Sequence, residues 1–222
     1  MKSIVFDLDG TLIDSAPDIH AAGNKMLVAE GLPKVTFEQS RGFVGHGAGV
    51  LIDRMMMAVG LPEDPLRHRR MLDTFLQHYE TAVHQSTVYP GVCEALLALQ
   101  ADGWLLAVCT NKPIAPTRSV LRHFGLLETF PVIFGGDSLP QRKPNPAPLL
   151  AVIAQLGGPK TLFVGDSEVD AETAERAGVD FALYTEGYRK TPVDQLSHLI
   201  AFDSFAVLPD LASAWWSDQA IA

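Results

Sequence analysis

Residues 5–14 read VFDLDGTLID, an apolar run that carries Asp7 and Asp9 directly before a Gly-Thr turn. An ionised carboxylate is costly in a low-dielectric interior, so buried apolar strands ordinarily exclude it. Two residues apart, both carboxyl groups would project from one side of a regular extended chain. One reading meets both constraints. A buried strand over 3–8 anchors the run in the core, and its exit presents Asp7 and Asp9 to one cleft. Asp14, the third aspartate, falls past the turn and takes no catalytic role.

Four further short apolar runs follow, at 104–109, 131–134, 161–165 and 180–184. They are continuous where a half-exposed strand would alternate, as strands covered on both faces of a parallel sheet do. Helical patterns over 91–102, 114–124, 146–156 and 168–177 stand between them, the last three closing at Gly125, Gly157-Gly158 and Gly178. Strand–helix alternation of this kind predicts an α/β fold, a doubly wound and mainly parallel sheet with right-handed crossovers. The tail PDLASAWWSDQA (209–220) reads as a terminal helix, with Trp215 and Trp216 as packing anchors.

Residues 15–86 break the alternation. They show helical stretches at 15–30, from Thr36, at 48–59 and at 63–84, and no strand. Ser15 is placed to cap the first, with Pro17 in its first turn. Thr36 and Gln39 have the spacing of a capping box. The expected organisation is a catalytic core of residues 1–14 plus 87–222, with a helical cap of 15–86 over the site.

The 222 residues carry a net charge of −9, with 47% hydrophobic residues, a globular balance that argues against a nucleic-acid partner. The basic run Arg67-His68-Arg69-Arg70 is read as the solvated face of a cap helix. There are two cysteines and no CxxC pair, and Cys109 in LLAVCT reads as a small buried hydrophobe. No leader pattern opens the chain, and no run approaches the roughly 18 apolar residues that span a bilayer. The expectation is a cytoplasmic protein with no membrane partner.

Ligands of open α/β sheets bind at the carboxyl ends of the strands, where strand order reverses. Those ends carry Asp7 and Asp9, then Thr110-Asn111-Lys112, then Asp166 with Asp170 one helical turn on; Lys143-Pro144 lies on the loop after the third strand. Taken singly, an Asp there is a helix cap, Thr-Asn is turn chemistry and Lys143 is a solvated loop lysine. Taken together, four carboxylates against one lysine strongly resist ionising side by side. A divalent cation resolves the conflict, and oxygen-only ligands favour Mg²⁺.

DxDGTL, the Thr-Asn strand end, the isolated Lys-Pro and Gly-Asp-Ser-x-x-x-Asp follow the order of the four motifs of the haloacid dehalogenase (HAD) superfamily, which the chain resembles from Asp7 to Asp170. The resemblance implies a HAD-like core, with the helical insertion as the family's small α-helical cap. It implies Asp7 as the nucleophile that forms an aspartyl-phosphate, and Asp9 as general acid and then base. Thr110 and the Asn111 N–H would hold phosphoryl oxygens, and Lys143 would neutralise charge. Asp7, the Asp9 carbonyl and Asp166 would bind Mg²⁺, with Asp170 orienting water around it from one layer out. Asp at position 9 fits the phosphotransferase branch of the superfamily.

The segments DGTLIDSAPDI, RGFVGHGAGVLIDR (41–54), TNKP, KPNPAPLL (143–150) and GDSEVDAETAERAG resemble those of the superfamily's bacterial phosphoglycolate phosphatases. That implies a small anionic phosphoester as partner, with the protein acting as a monomer or homodimer. Arg41 and His46, beside the turn Gly45–Gly49, are candidate cap cations for the substrate carboxylate; the competing reading is that these glycines only join two helices. Alternatives are a phosphatase for another small ester, a phosphosugar mutase, and a non-catalytic phospho-accepting switch. The length and the motif order speak against the switch.

Overall fold

The structure is a computed structural model that describes residues 1–158 and 160–219. Its pivot is β1 (Lys2–Phe6), flanked in parallel by β4 (Leu105–Cys109) on one side and β6 (Lys160–Gly165) on the other. β5 (Val132–Phe134) extends the sheet beyond β4, while β7 (Asp180–Tyr184) and β8 (Ile200–Phe202) extend it beyond β6. The order β5–β4–β1–β6–β7–β8 is that of the doubly wound parallel sheet expected from the alternation. The chain builds outward from β1 through β4 to β5, then crosses back to β6. The switch point therefore lies at the carboxyl end of β1, where VFDLDGTLID leaves the sheet.

Side-chain alternation splits the core into two layers. Ile4 and Phe6 pack on one face with Leu96 and Leu99 of α5 (Val92–Ala101), Leu121 of α6 (Ile114–His123), and Ala212 and Trp215 of α9 (Leu208–Gln219). Val5 faces the other layer, with Cys109, Phe163, Leu149 of α7 (Ala147–Gln155) and Ala174 of α8 (Glu168–Ala177). Burial pushes the Cys109 thiol up to about 12, which keeps it an inert hydrophobe as the sequence suggested. Trp215 anchors the tail by stacking on Trp104 at 6.2 Å and donating to Asp180 at 2.9 Å. Ala220, the last residue of the expected tail helix, lies outside the described residues.

Between β2 (Ile13–Asp14) and β3 (Thr87–Val88) stand four helices: α1 (Ala16–Ala29), α2 (Phe37–Phe43), α3 (Ala48–Ala58) and α4 (Pro65–Tyr79). β2 and β3 pair antiparallel, so the chain leaves the sheet and returns to it side by side. The helices enclose a third apolar cluster that includes Met26, Leu27, Ile52, Met55, Met71 and Phe75. Thr36 and Gln39 form the capping box expected of them. In the basic run, Arg67 and Arg70 clasp Glu30 at 3.3 and 2.8 Å.

Three local expectations are corrected. β8 was not foreseen, because a three-residue edge strand is too short for its pattern to show. α4 stops at Tyr79, five residues before the expected end at 84, and the following chain is drawn to α1 instead. There the Asp18 carboxylate accepts from Gln85 N at 3.1 Å, and from Ser86 N and Oγ at 2.8 and 2.6 Å. Ser15 does not cap α1 with its side chain. Its hydroxyl donates to Asp9 at 2.6 Å, and the Tyr188 hydroxyl accepts the N–H groups of Ser15 and Ala16 at 2.8 and 3.0 Å.

Candidate active site

β1 ends at Phe6, so both aspartates stand just past the strand. Asp7 N still donates to Val164 O at 2.8 Å, which holds it against β6. The chain then curls: Gly10 N donates to Ile13 O at 2.9 Å, and Leu12 N to Leu8 O at 3.0 Å. Gly10 has φ +90°, and a Cβ there would stand 2.5 Å from Asp166 Oδ2. Only glycine fits that approach, which is why the DxDG turn can fold back over Asp166.

Asp7, Asp166 and Asp170 are buried and offer carboxylate oxygens within 4.8 Å of one another. Lys143 sits among them at 3% exposure, its Nζ 2.6 Å from Asp170 and 2.9 Å from Asp7. The solvated-loop reading of this lysine is thereby excluded. Burial opposes its charge, but Asp170 and Asp7 outweigh that and hold the ammonium above its usual range. Burial pushes the Asp7 carboxyl up to about 6; Lys143 pulls it down, and Asp170 and Asp9 add to the rise. Asp166 is driven well above the carboxylate range by burial and then by Asp170 and Asp7, although Tyr188 N and Thr11 Oγ1 donate to it at 2.6 and 2.8 Å.

Asp7 Oδ1 lies within ion-pair distance of Lys143 but not in hydrogen-bond alignment, so this buried oxygen has no hydrogen-bond partner among the described residues. An orphaned carboxylate oxygen facing further carboxylates is the donor set of a hard divalent cation. Asp170 is placed differently from its neighbours. Its Oδ2 accepts from Ser167 Oγ and N at 2.6 and 3.1 Å, while its Oδ1 pairs with Lys143. It fixes the loop after β6 and the lysine together.

Thr110, at the end of β4, accepts from Lys112 N at 3.3 Å. Asn111 ties three segments: its amide donates to Lys143 O at 2.9 Å and Gly45 O at 3.0 Å, and accepts from Lys143 N at 3.0 Å. With Asp7, Asp9 and Lys112, these two residues form the sheet side of a cavity of about 40 Å³. Ile19, Leu51, Phe75 and Tyr79 roof it from the helices, beside Gly45 and Gly47.

Neither cap cation lines this cavity. Arg41 donates to Gly187 O at 2.9 Å and lies 5.4 Å from the Tyr188 ring, which ties α2 to the loop after β7. His46 stands 3.3 Å from Arg54, and burial followed by that guanidinium lowers its pKa. The cation that does line the cavity is Lys112, 5% exposed, with Nζ 3.1 Å from Asp9 Oδ1 and bonded to the Tyr79 hydroxyl. Four carboxylates thus face two lysines where one was expected. The signal was present in Thr110-Asn111-Lys112, but nothing in the sequence brings Tyr79 to it.

An acidic cleft at the switch point of a doubly wound sheet, roofed by inserted helices, is shared with a known class of enzymes. Residues 4–184 match the haloacid dehalogenase-like hydrolase family model, and the chain belongs to that family. The chain is 52% identical to the phosphoglycolate phosphatase of Cereibacter sphaeroides, over 95% of this chain and 97% of that one. It is 46% identical to the phosphoglycolate phosphatase of Rhodobacter capsulatus, over 97% and 99%. A predicted phosphoglycolate phosphatase from Haemophilus somnus superposes with a TM-score of 0.88 at 34% identity, covering 95% of this chain and 97% of that structure. Among the described residues no helix is long and apolar enough to cross a membrane.

Proposed function

We propose that this protein is a phosphoric monoester hydrolase that cleaves 2-phosphoglycolate to glycolate and phosphate, through a phosphoryl group carried by Asp7. The observation that carries the reading is the joint placement of Asp7 and Asp9 in one small cavity, with Lys143 paired to Asp7 behind it. Relatives named for that activity, similar over nearly the whole chain, support the substrate.

In the first step an Asp7 oxygen bonds to phosphorus, the bond to the glycolate oxygen breaks, and Asp9 gives that oxygen its proton. Water then bonds to phosphorus while Asp9 takes a proton from it, and the Asp7–phosphorus bond breaks. Ser15 and Lys112 both engage Asp9 Oδ1, which orients the carboxyl so that Oδ2 handles the proton. Thr110 and Asn111 hold phosphoryl oxygens, and Lys143 balances charge on Asp7 and the phosphate. Mg²⁺ fits the orphaned Asp7 oxygen, and Asp7, Asp166 and the Asp9 carbonyl would hold it, neutralising charge where the phosphate binds.

Residues 15–86 act in this reading as a cap on a core of 1–14 plus 87–222, shielding the intermediate from bulk water. The two cysteines are free thiols, which suits the cytoplasm.

Phosphate release from 2-phosphoglycolate, with Mg²⁺ and then with excess chelator, tests the function. Release that depends on the metal is expected; no release from this ester under either condition contradicts the substrate. The metal site has its own readout. At a Mg²⁺ concentration about a hundred times its Kd, melting should rise by roughly 5–10 °C, and Asp166→Asn should cancel the rise.

A further inference from the structure

The helical roof of the cavity contributes only uncharged groups, while 2-phosphoglycolate bears a carboxylate as well as its phosphate. A buried anion without a partner is strongly disfavoured, so a substrate that enters this cavity needs a cation at its far end. Lys143, Arg41 and Arg142 do not line the cavity. Lys112 remains. An ammonium has three N–H donors, of which two go to Asp9 Oδ1 and the Tyr79 hydroxyl.

Building on the function proposed above, we infer that Lys112 is the specificity residue that binds the substrate carboxylate, held in place by Tyr79. The geometry gives a reason for each part. Asp9 must reach the ester oxygen, and in 2-phosphoglycolate the carboxylate is one carbon beyond that oxygen. A cation 3.1 Å from Asp9 stands where that carboxylate falls. Tyr79 comes from the last turn of α4, with its ring 4.9 Å from Phe75 and 4.1 Å from the Lys112 ammonium. Burial drives the phenol well above its usual range, so it stays neutral and accepts a bond from the lysine. The roof thereby sets the position of a charge that the core supplies.

The test compares 2-phosphoglycolate with ethyl phosphate, which keeps the ester and replaces the carboxylate by a methyl group. Wild-type enzyme should prefer 2-phosphoglycolate in kcat/KM. In Lys112→Gln that preference should shrink by about a hundredfold, mainly through KM, as expected for loss of a charge-assisted bond. Tyr79→Phe should shrink it by about three- to tenfold, and serves as the comparison should Lys112→Gln fail to fold. Lys112→Arg should recover part of the loss. An equal fall for both esters would make Lys112 a partner of Asp9 alone and overturn the inference, as would an unchanged preference in both Lys112→Gln and Tyr79→Phe. Absence of any preference in the wild type would instead remove the phosphoglycolate reading itself.

Discussion

Asp7→Asn is expected to lower kcat by at least about 10⁴-fold while leaving the protein folded. The amide has the shape of the carboxylate but cannot open an attack on phosphorus, so the loss falls on chemistry. Packing should not suffer. Asp7 lies against Asp166 and Asp170 with one buried lysine between them, and its carboxyl is already driven up to about 6 by burial. Removing a negative charge from that cluster relieves repulsion, and the metal-free variant should melt no lower than the wild type. Steady-state phosphate release and a melting curve on one preparation separate the two effects. Activity retained within about tenfold of the wild type would contradict the nucleophile assignment.

Lys143→Met is expected to damage both activity and stability. The ammonium is buried between Asp7 and Asp170 at 2.9 and 2.6 Å, so its removal strands two carboxylates in the core. Breaking a buried pair from one side costs about 3–5 kcal/mol. For a chain of this size that is a fall in melting temperature on the order of 10 °C. Activity should drop by about 10²–10³-fold, the usual loss when a charge-stabilising group is taken from a phosphoryl or oxyanion site. Adding Asp170→Asn to Lys143→Met should return part of the stability, because the two residues share one interaction. A single variant as stable as the wild type would show that the pair contributes nothing net.

These residues also show what a linear reading captures. Asp7, Asp9, Lys143 and Asp166 were legible because each sits in a short motif at a strand end or on the loop that follows one, and a parallel sheet gathers such ends at one edge. The charge conflict among them, the reason a cation is expected, is legible in the same motifs. Lys112 was visible but uninterpreted. Its partner Tyr79 lies 33 residues earlier, on α4, and only the packing of that helix over the cleft joins them. Tyr188 is a clearer case of the same limit: its hydroxyl donates to Asp14 across 174 residues at 2.6 Å, and it accepts the N–H groups of Ser15 and Ala16 at the start of α1. Local propensity named Ser15 as a cap, and a tertiary contact with Asp9 took its hydroxyl instead. Arg41 carries the right charge for an anionic substrate, and His46 does so only when protonated. Charge alone, however, does not say which way a side chain on a short helix or its following turn will point.

In the proposed reaction a phosphoryl group passes through Asp7, and rapid acid quench during turnover of 2-phosphoglycolate examines that directly. Mass spectrometry of the digested protein should find a phosphoryl group on the peptide that carries Asp7, present in Asp9→Asn as well and absent from Asp7→Asn. Phosphate released at full rate with that peptide unmodified, or a phosphoryl group found on another residue, would contradict it.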